Sequence, residues 1–219
     1  MKYTANRLKN TLRRMNYKVF TRPYELNLIG LRTTSEPNTF NDTLAVFYND
    51  DNGKTIYNEY PITTDPGTYW LNKPMNVKGT AMLKAGQYID TWIIGPHLNK
   101  YTALVQRKPV TVYRDNDRNS IFQSNVEDTG LFGINIHKAG SDSKSVDKWS
   151  AGCQVFKRVA DFNTVMKLAE EQRKRYGNKF TYTLLDAVEV EKKKRRRFLY
   201  FVGAVSLGTF LYFNYERKR

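Results

Sequence analysis

Cysteine is almost absent from this chain. Its single occurrence, Cys153, excludes an internal disulfide framework and any cysteine-rich zinc site. Histidine is nearly as scarce. His97 and His137 alone offer little material for a metal centre, so neither metal nor cofactor is expected. Residues 1–20 lack an apolar run, and no signal peptide is expected there. Acidic residues are also in deficit: 21 Asp and Glu face 36 Lys and Arg, a formal charge of +15 over 219 residues. What is plentiful is aromatic: 15 Tyr, 12 Phe and 3 Trp make the chain too rich for a disordered one.

A pI near 9.8 suggests nucleic-acid binding until the charge is located. Residues 1–32 hold eight Lys and Arg against one Glu, net +7. Residues 33–187 hold 19 cations and 17 anions, net +2, and residues 188–219 hold nine and three, net +6. The body is nearly neutral and the charge lies at the two ends, so a nucleic-acid partner is not expected.

The carboxy-terminal end has a membrane pattern. KKKRRR at 192–197 runs into 18 uncharged residues at 198–215, followed by ERKR. As a helix that segment is about 27 Å long, near the lower limit for crossing a bilayer. Tyr200, Tyr212 and Tyr215 near its ends suit the interface. The expected organisation is a basic amino-terminal segment at 1–32, a domain at 33–188, a polybasic linker at 189–197 and a transmembrane helix at 198–215. Within the first segment, Leu8, Leu12 and Met15 share one side of a short helix with a basic outer face.

The body reads as mainly β. Strands are expected at 43–49 and 54–62, joined by a turn at DDNG, then, after 64–70 read as a turn entering another short strand, at Gln87–Gly95, Tyr101–Gln106, Pro109–Arg114, Leu131–His137 and Phe180–Val188. One helix is expected at 159–177, with Val159, Phe162, Val165, Met166 and Ala169 on one face and Gly177 as its cap.

Chemistry points to Cys153, in WSAGCQVF, and to His137, 16 residues earlier in FGINIHKAG. Cysteine is the strongest side-chain nucleophile once deprotonated, and a neighbouring imidazole accepts its proton, lowering the thiol pKa. Gly152 lets a substrate approach, and the Gly152 and Cys153 N–H groups would hold an oxyanion. The plainer reading is that a lone cysteine is a small buried hydrophobe. His97 reads as a surface histidine on a loop, or as a second imidazole lining the same cleft. Trp149 reads as core, and Asp128, Asp142 and Asp147 as solvated charges.

These residues resemble the catalytic domain of the L,D-transpeptidases, the YkuD family. The family carries a His at a strand end, a loop, then Ser/Thr-His-Gly-Cys. Here stand His137, a slightly shorter loop, then Ser150-Ala151-Gly152-Cys153. The strand pair leading into TTDPGTYW is similar to an upstream family block, and the resemblance covers 43–157. It implies a mainly β sandwich or barrel with few helices. It implies that Cys153 attacks a peptidoglycan stem peptide to form a thioester, with His137 as base. The Lys138 carbonyl would orient the ring, and Ser150 would line the pocket. Ala151 replaces a family histidine, and Gln154 and Val155 replace the Asn or Arg after the cysteine, leaving Gln154 and His97 to handle substrate. Loss of those groups favours water as acceptor, as in a carboxypeptidase, endopeptidase or phage lysin. The alternative is a catalytically inactive, membrane-anchored cell-wall binding protein. Six cations before the apolar segment against three after it would leave the domain on the cytoplasmic side. A lysin held back until the membrane is breached reconciles that side with a cell-wall substrate.

Overall fold

The computed structural model describes residues 2–33, 37–140 and 143–191. The expected polybasic run at 192–197 and apolar helix at 198–215 lie outside the described residues, as does Asp142. Among the described residues no helix is long and apolar enough to cross a membrane.

The domain is mainly β. Eight strands close a barrel and three more form a side sheet. In chain order they are β1 (Asn27–Arg32), β2 (Asp42–Asn49), β3 (Thr55–Thr63), β4 (Thr80–Leu83), β5 (Gly86–His97), β6 (Tyr101–Gln106), β7 (Val110–Asp115), β8 (Val126–Gly130), β9 (Ile136–Lys138), β10 (Gln154–Phe156) and β11 (Phe180–Asp186). The barrel order is β1-β11-β5-β6-β9-β10-β3-β2, and the side sheet runs β4-β7-β8. Among the described residues, helices α1 (Ala5–Arg14), α2 (Thr68–Asn72) and α3 (Val159–Tyr176) accompany the strands, and residues 187–191 also turn helical after β11.

Strand alternation sorts apolar residues into two layers. Leu28, Leu44, Val46, Ile62, Trp92, Ile136, Phe156, Tyr182 and Leu184 belong to the main core inside the barrel. Their neighbours Ile29, Leu31, Ala45, Phe47 and Leu185 form a second cluster with Leu8 and Leu12 of α1. Helix α1 starts at Thr4, whose hydroxyl accepts the Arg7 N–H, and buries its apolar stripe against the barrel wall. Residues 27–32, grouped by charge with the amino-terminal segment, are therefore a wall strand covered on both sides. Helix α3 buries Phe162, Val165 and Ala169, and its Gly177 cap donates to the Arg173 carbonyl.

Two expected strands are corrected. Residues 68–72 wind into α2 rather than extending into a strand: Gly67 and Thr68 are tied back to the Ser150 carbonyl and the Asn38 side chain. The stretch expected as one strand at 131–137 contributes only its end to β9. Its earlier part is held irregular because Gln106 Oε1 accepts the Phe132 and Ile134 N–H groups, and Trp92 Nε1 donates to the Ile134 carbonyl.

Candidate active site

Strands β9 and β10 run parallel, with Gln154 beside Ile136 and Val155 beside His137. Ile136 and Phe156 face the barrel core, so the alternate residues His137 and Val155 project from the outer face. Cys153 has the parity of Val155 and sits with it in a small cluster with Phe40, Ala139 and Val146. Both expected chemical groups thus stand on one face of two adjacent strands, two register positions apart.

His137 is buried, and its Nδ1 lies 2.9 Å from the Lys138 carbonyl, the contact implied by the resemblance. Tyr101 Oη donates to the same carbonyl at 3.2 Å and lies 3.3 Å from Nδ1. A carbonyl only accepts, so this network assigns the ring proton to Nδ1 and leaves the Nε2 lone pair as the basic site. The Lys138 ammonium lies over the Tyr101 ring, 5.0 Å from its centroid.

His97 is not a surface histidine on a loop. It ends β5, is buried, and stacks on His137 with centroids 4.2 Å apart and planes 20° from parallel. Asn135 Nδ2 meets its Nδ1 at 3.1 Å, while Asn135 Oδ1 accepts the Gln106 N–H. Burial, joined by the stacked His97, pushes His137 down to about 3. Burial and Lys100 also lower His97. Both rings are therefore neutral at pH 7.

The thiol state differs from the expected one. Cys153 is half-buried and its Sγ donates to the Gly133 carbonyl at 3.4 Å. Burial pushes the thiol up to about 11, opposed by the Asn135 N–H directed at the sulfur. The resting pair is thus neutral thiol and neutral imidazole rather than thiolate and imidazolium, because among the described residues nothing beside the sulfur carries the positive charge that would hold a thiolate.

Three further assignments change. Ser150 is fully buried instead of lining a pocket. Its hydroxyl donates to the Cys153 carbonyl at 2.8 Å and accepts the Gly152 N–H at 3.2 Å. The Gly152 N–H is therefore engaged within the turn, which leaves the Cys153 N–H as the candidate oxyanion donor. Gln154 is buried in the barrel, where Oε1 accepts from Tyr182 Oη at 2.8 Å and Nε2 donates to the Gly152 carbonyl at 3.3 Å. It supports the cysteine turn from beneath and is closed off from solvent. Trp149 is 43% exposed rather than core. Asp128 pairs with Arg114 and Lys78, and Asp147 accepts from Asn38 and Ser145.

Sequence reasoning missed Tyr101, Asn135 and Gln106, which hold the two imidazoles and the 132–134 loop whose Gly133 carbonyl accepts from the thiol. Only their place beside the candidate pair in the barrel distinguishes them from ordinary strand residues.

The buried imidazole has a consequence for stability. His137 stays neutral in the folded state down to about pH 3 but takes up a proton near 6.5 when unfolded. Between those values the unfolded state binds more protons, so stability falls as pH falls, by about 1.4 kcal/mol per pH unit for one such group. Burial raises Asp65, which works in the opposite direction near its own titration. Comparing urea denaturation of wild type and His137→Gln at pH 7 and pH 4 isolates the histidine. The variant should lose less stability on acidification, and equal losses would refute the buried neutral ring.

Comparison with family models, with curated proteins and with solved structures finds no match to this chain in any of the three.

Proposed function

We propose that this domain is a cysteine-dependent acyl-transfer or hydrolytic enzyme of the L,D-transpeptidase type, acting on peptidoglycan stem peptides. The observation that carries the reading is the β9–β10 pairing. It sets Cys153 and His137 on one outward face, with the His137 ring fixed by the Lys138 carbonyl and the neutral ring's Nε2 lone pair left to accept a proton. Cys153 Sγ attacks the carbonyl between the L-centre of a diamino acid and D-Ala. Its proton passes to His137 Nε2, and collapse of the tetrahedral intermediate breaks the C–N bond. The departing D-Ala amine takes the proton from the imidazolium, leaving a thioester. An amine acceptor then gives a cross-link, and water gives hydrolysis. Ala151, where the family has histidine, supports hydrolysis, and a tether at 198–215 would hold such a lysin at the membrane.

One observation favours the second reading, an inactive membrane-anchored wall-binding protein. The thiol is raised rather than lowered, and it donates to the Gly133 carbonyl. Incubation of the protein with purified muropeptides decides between them. Release or exchange of D-amino acids, read by mass spectrometry, supports the enzyme; bound but unaltered muropeptides would leave the binding protein standing.

A further inference from the structure

A cavity of about 260 Å³ opens between the side sheet and the cysteine turn, with Trp70, Asn76, Thr80, Arg114, Phe132 and Ala151 in its wall. Two of these residues locate it against the thiol. Ala151 precedes Gly152 and Cys153, and Phe132 precedes Gly133, whose carbonyl accepts the thiol's hydrogen bond.

Arg114 is the unusual group in this wall, because its side chain is only 6% exposed. Its Nε lies 3.2 Å from Asp128 Oδ2, its Nη1 donates to the Gly79 carbonyl at 3.2 Å, and the guanidinium sits 4.4 Å from the Phe132 ring centroid. Nη2 has no partner among the described residues. Asp128 is shared with Lys78, 3.4 Å away, so two cations face one carboxylate and the cluster keeps a net charge of +1. The residual charge and the unengaged Nη2 suit a second anion beside Asp128. With Nε and Nη1 already engaged, Nη2 is the donor left to make one charge-assisted hydrogen bond to a carboxylate.

We propose that Arg114 and this cavity recognise the free terminal carboxylate of the peptide that Cys153 attacks. The identity of the peptide rests on the function proposed above, whereas recognition of a carboxylate rests on the cavity alone. A carboxylate at Arg114 would anchor the leaving D-amino acid and direct its scissile carbonyl past Ala151 toward the cysteine turn. The chain would then act on stem peptides with a free end and discriminate against internal or amidated ones.

Binding is measured by calorimetry with the full-length protein carrying Cys153→Ala, which removes turnover. The probes are a stem tetrapeptide ending in L-Lys-D-Ala with a free carboxylate, and the same peptide as its C-terminal amide. The carboxylate should bind about tenfold more tightly, as a charge-assisted pair predicts. Adding Arg114→Gln should erase the difference. Adding Asp128→Asn, which keeps the guanidinium and removes its neutralising partner, should strengthen carboxylate binding and leave the amide unchanged. Equal binding of the two peptides, no binding of either, or a preference that survives Arg114→Gln in folded protein overturns the proposal. Should Arg114→Gln fail to fold, the Asp128→Asn result decides alone. Separately, a wild-type protein that prefers the carboxylate yet forms no Cys153 thioester would sink the enzyme reading and spare this one.

Discussion

Replacing Cys153 by alanine should abolish release of D-amino acids from muropeptides and remove the thioester adduct from the intact-protein mass spectrum. His137→Gln should lower turnover by about 10²–10⁴-fold, the usual weight of a positioned base. The two effects should not add, since nucleophile and base act as one unit. The size of the histidine effect follows from the state of the thiol. With its pKa pushed up to about 11, only about one molecule in 10⁴ carries a thiolate at pH 7. Attack by that fraction alone would be slow, so the proton must leave as the bond forms. Iodoacetamide labelling of the free protein should accordingly be slow at pH 7 and climb through the alkaline range. A labelling plateau near neutrality would mean that a thiolate–imidazolium pair forms after all. Turnover surviving Cys153→Ala would end the catalytic reading.

Much of the wall was legible in the sequence. Alternation of apolar and polar residues around DDNG marks the hairpin that becomes β2 and β3, and Tyr101–Gln106, a strand by its sequence pattern, is β6 in the fold. Helix α3 was visible because its apolar residues repeat at helical spacing. Strand β1 was not. All six of its residues are buried, since one face lines the barrel and the other meets α1, and a strand covered twice shows no alternation. Helix α2 was read as a strand because Tyr69 and Trp70 favour extended chain, whereas long-range ties at Gly67 and Thr68 decide the turn.

The site was legible in its reactive atoms and not in their setting. A lone Cys after Gly, and a His at the end of a strand, mark the pair. That Ser150 and Gln154 face inward depends on Cys153, Gly152 and Tyr182 as partners, some distant in sequence. Local sequence shows only that they are polar and near the cysteine, which suggests substrate contact. His97 misled in the other direction. Pro96 and the following Leu98–Asn99 read as a loop, yet Pro96 pairs with Thr102 inside the β5–β6 ladder and carries His97 under the His137 ring.

The turn that presents the thiol should be the least tolerant point of the site, and Gly152→Ala should show it. Gly152 has φ 120°, outside the small left-handed region open to other residues, and a Cβ there would lie 2.5 Å from the Ala81 carbonyl oxygen and 3.1 Å from Ile134 Cδ1. Both the strain and the clash press on backbone that cannot yield separately. Ala81 is in β4, paired with Arg114 of β7, and the Gly152 carbonyl is held by Gln154. The expected loss is about 3 kcal/mol or more, combining backbone strain with overpacking. Gly133, across the thiol, is the control. It also has positive φ, at 71°, but nothing lies within 4 Å of its Cβ position, so Gly133→Ala should cost only about 1 kcal/mol. Urea denaturation of the two variants reads both losses. Similar small losses would mean that the cysteine turn is free to move, and that its geometry does not fix the thiol beside His137.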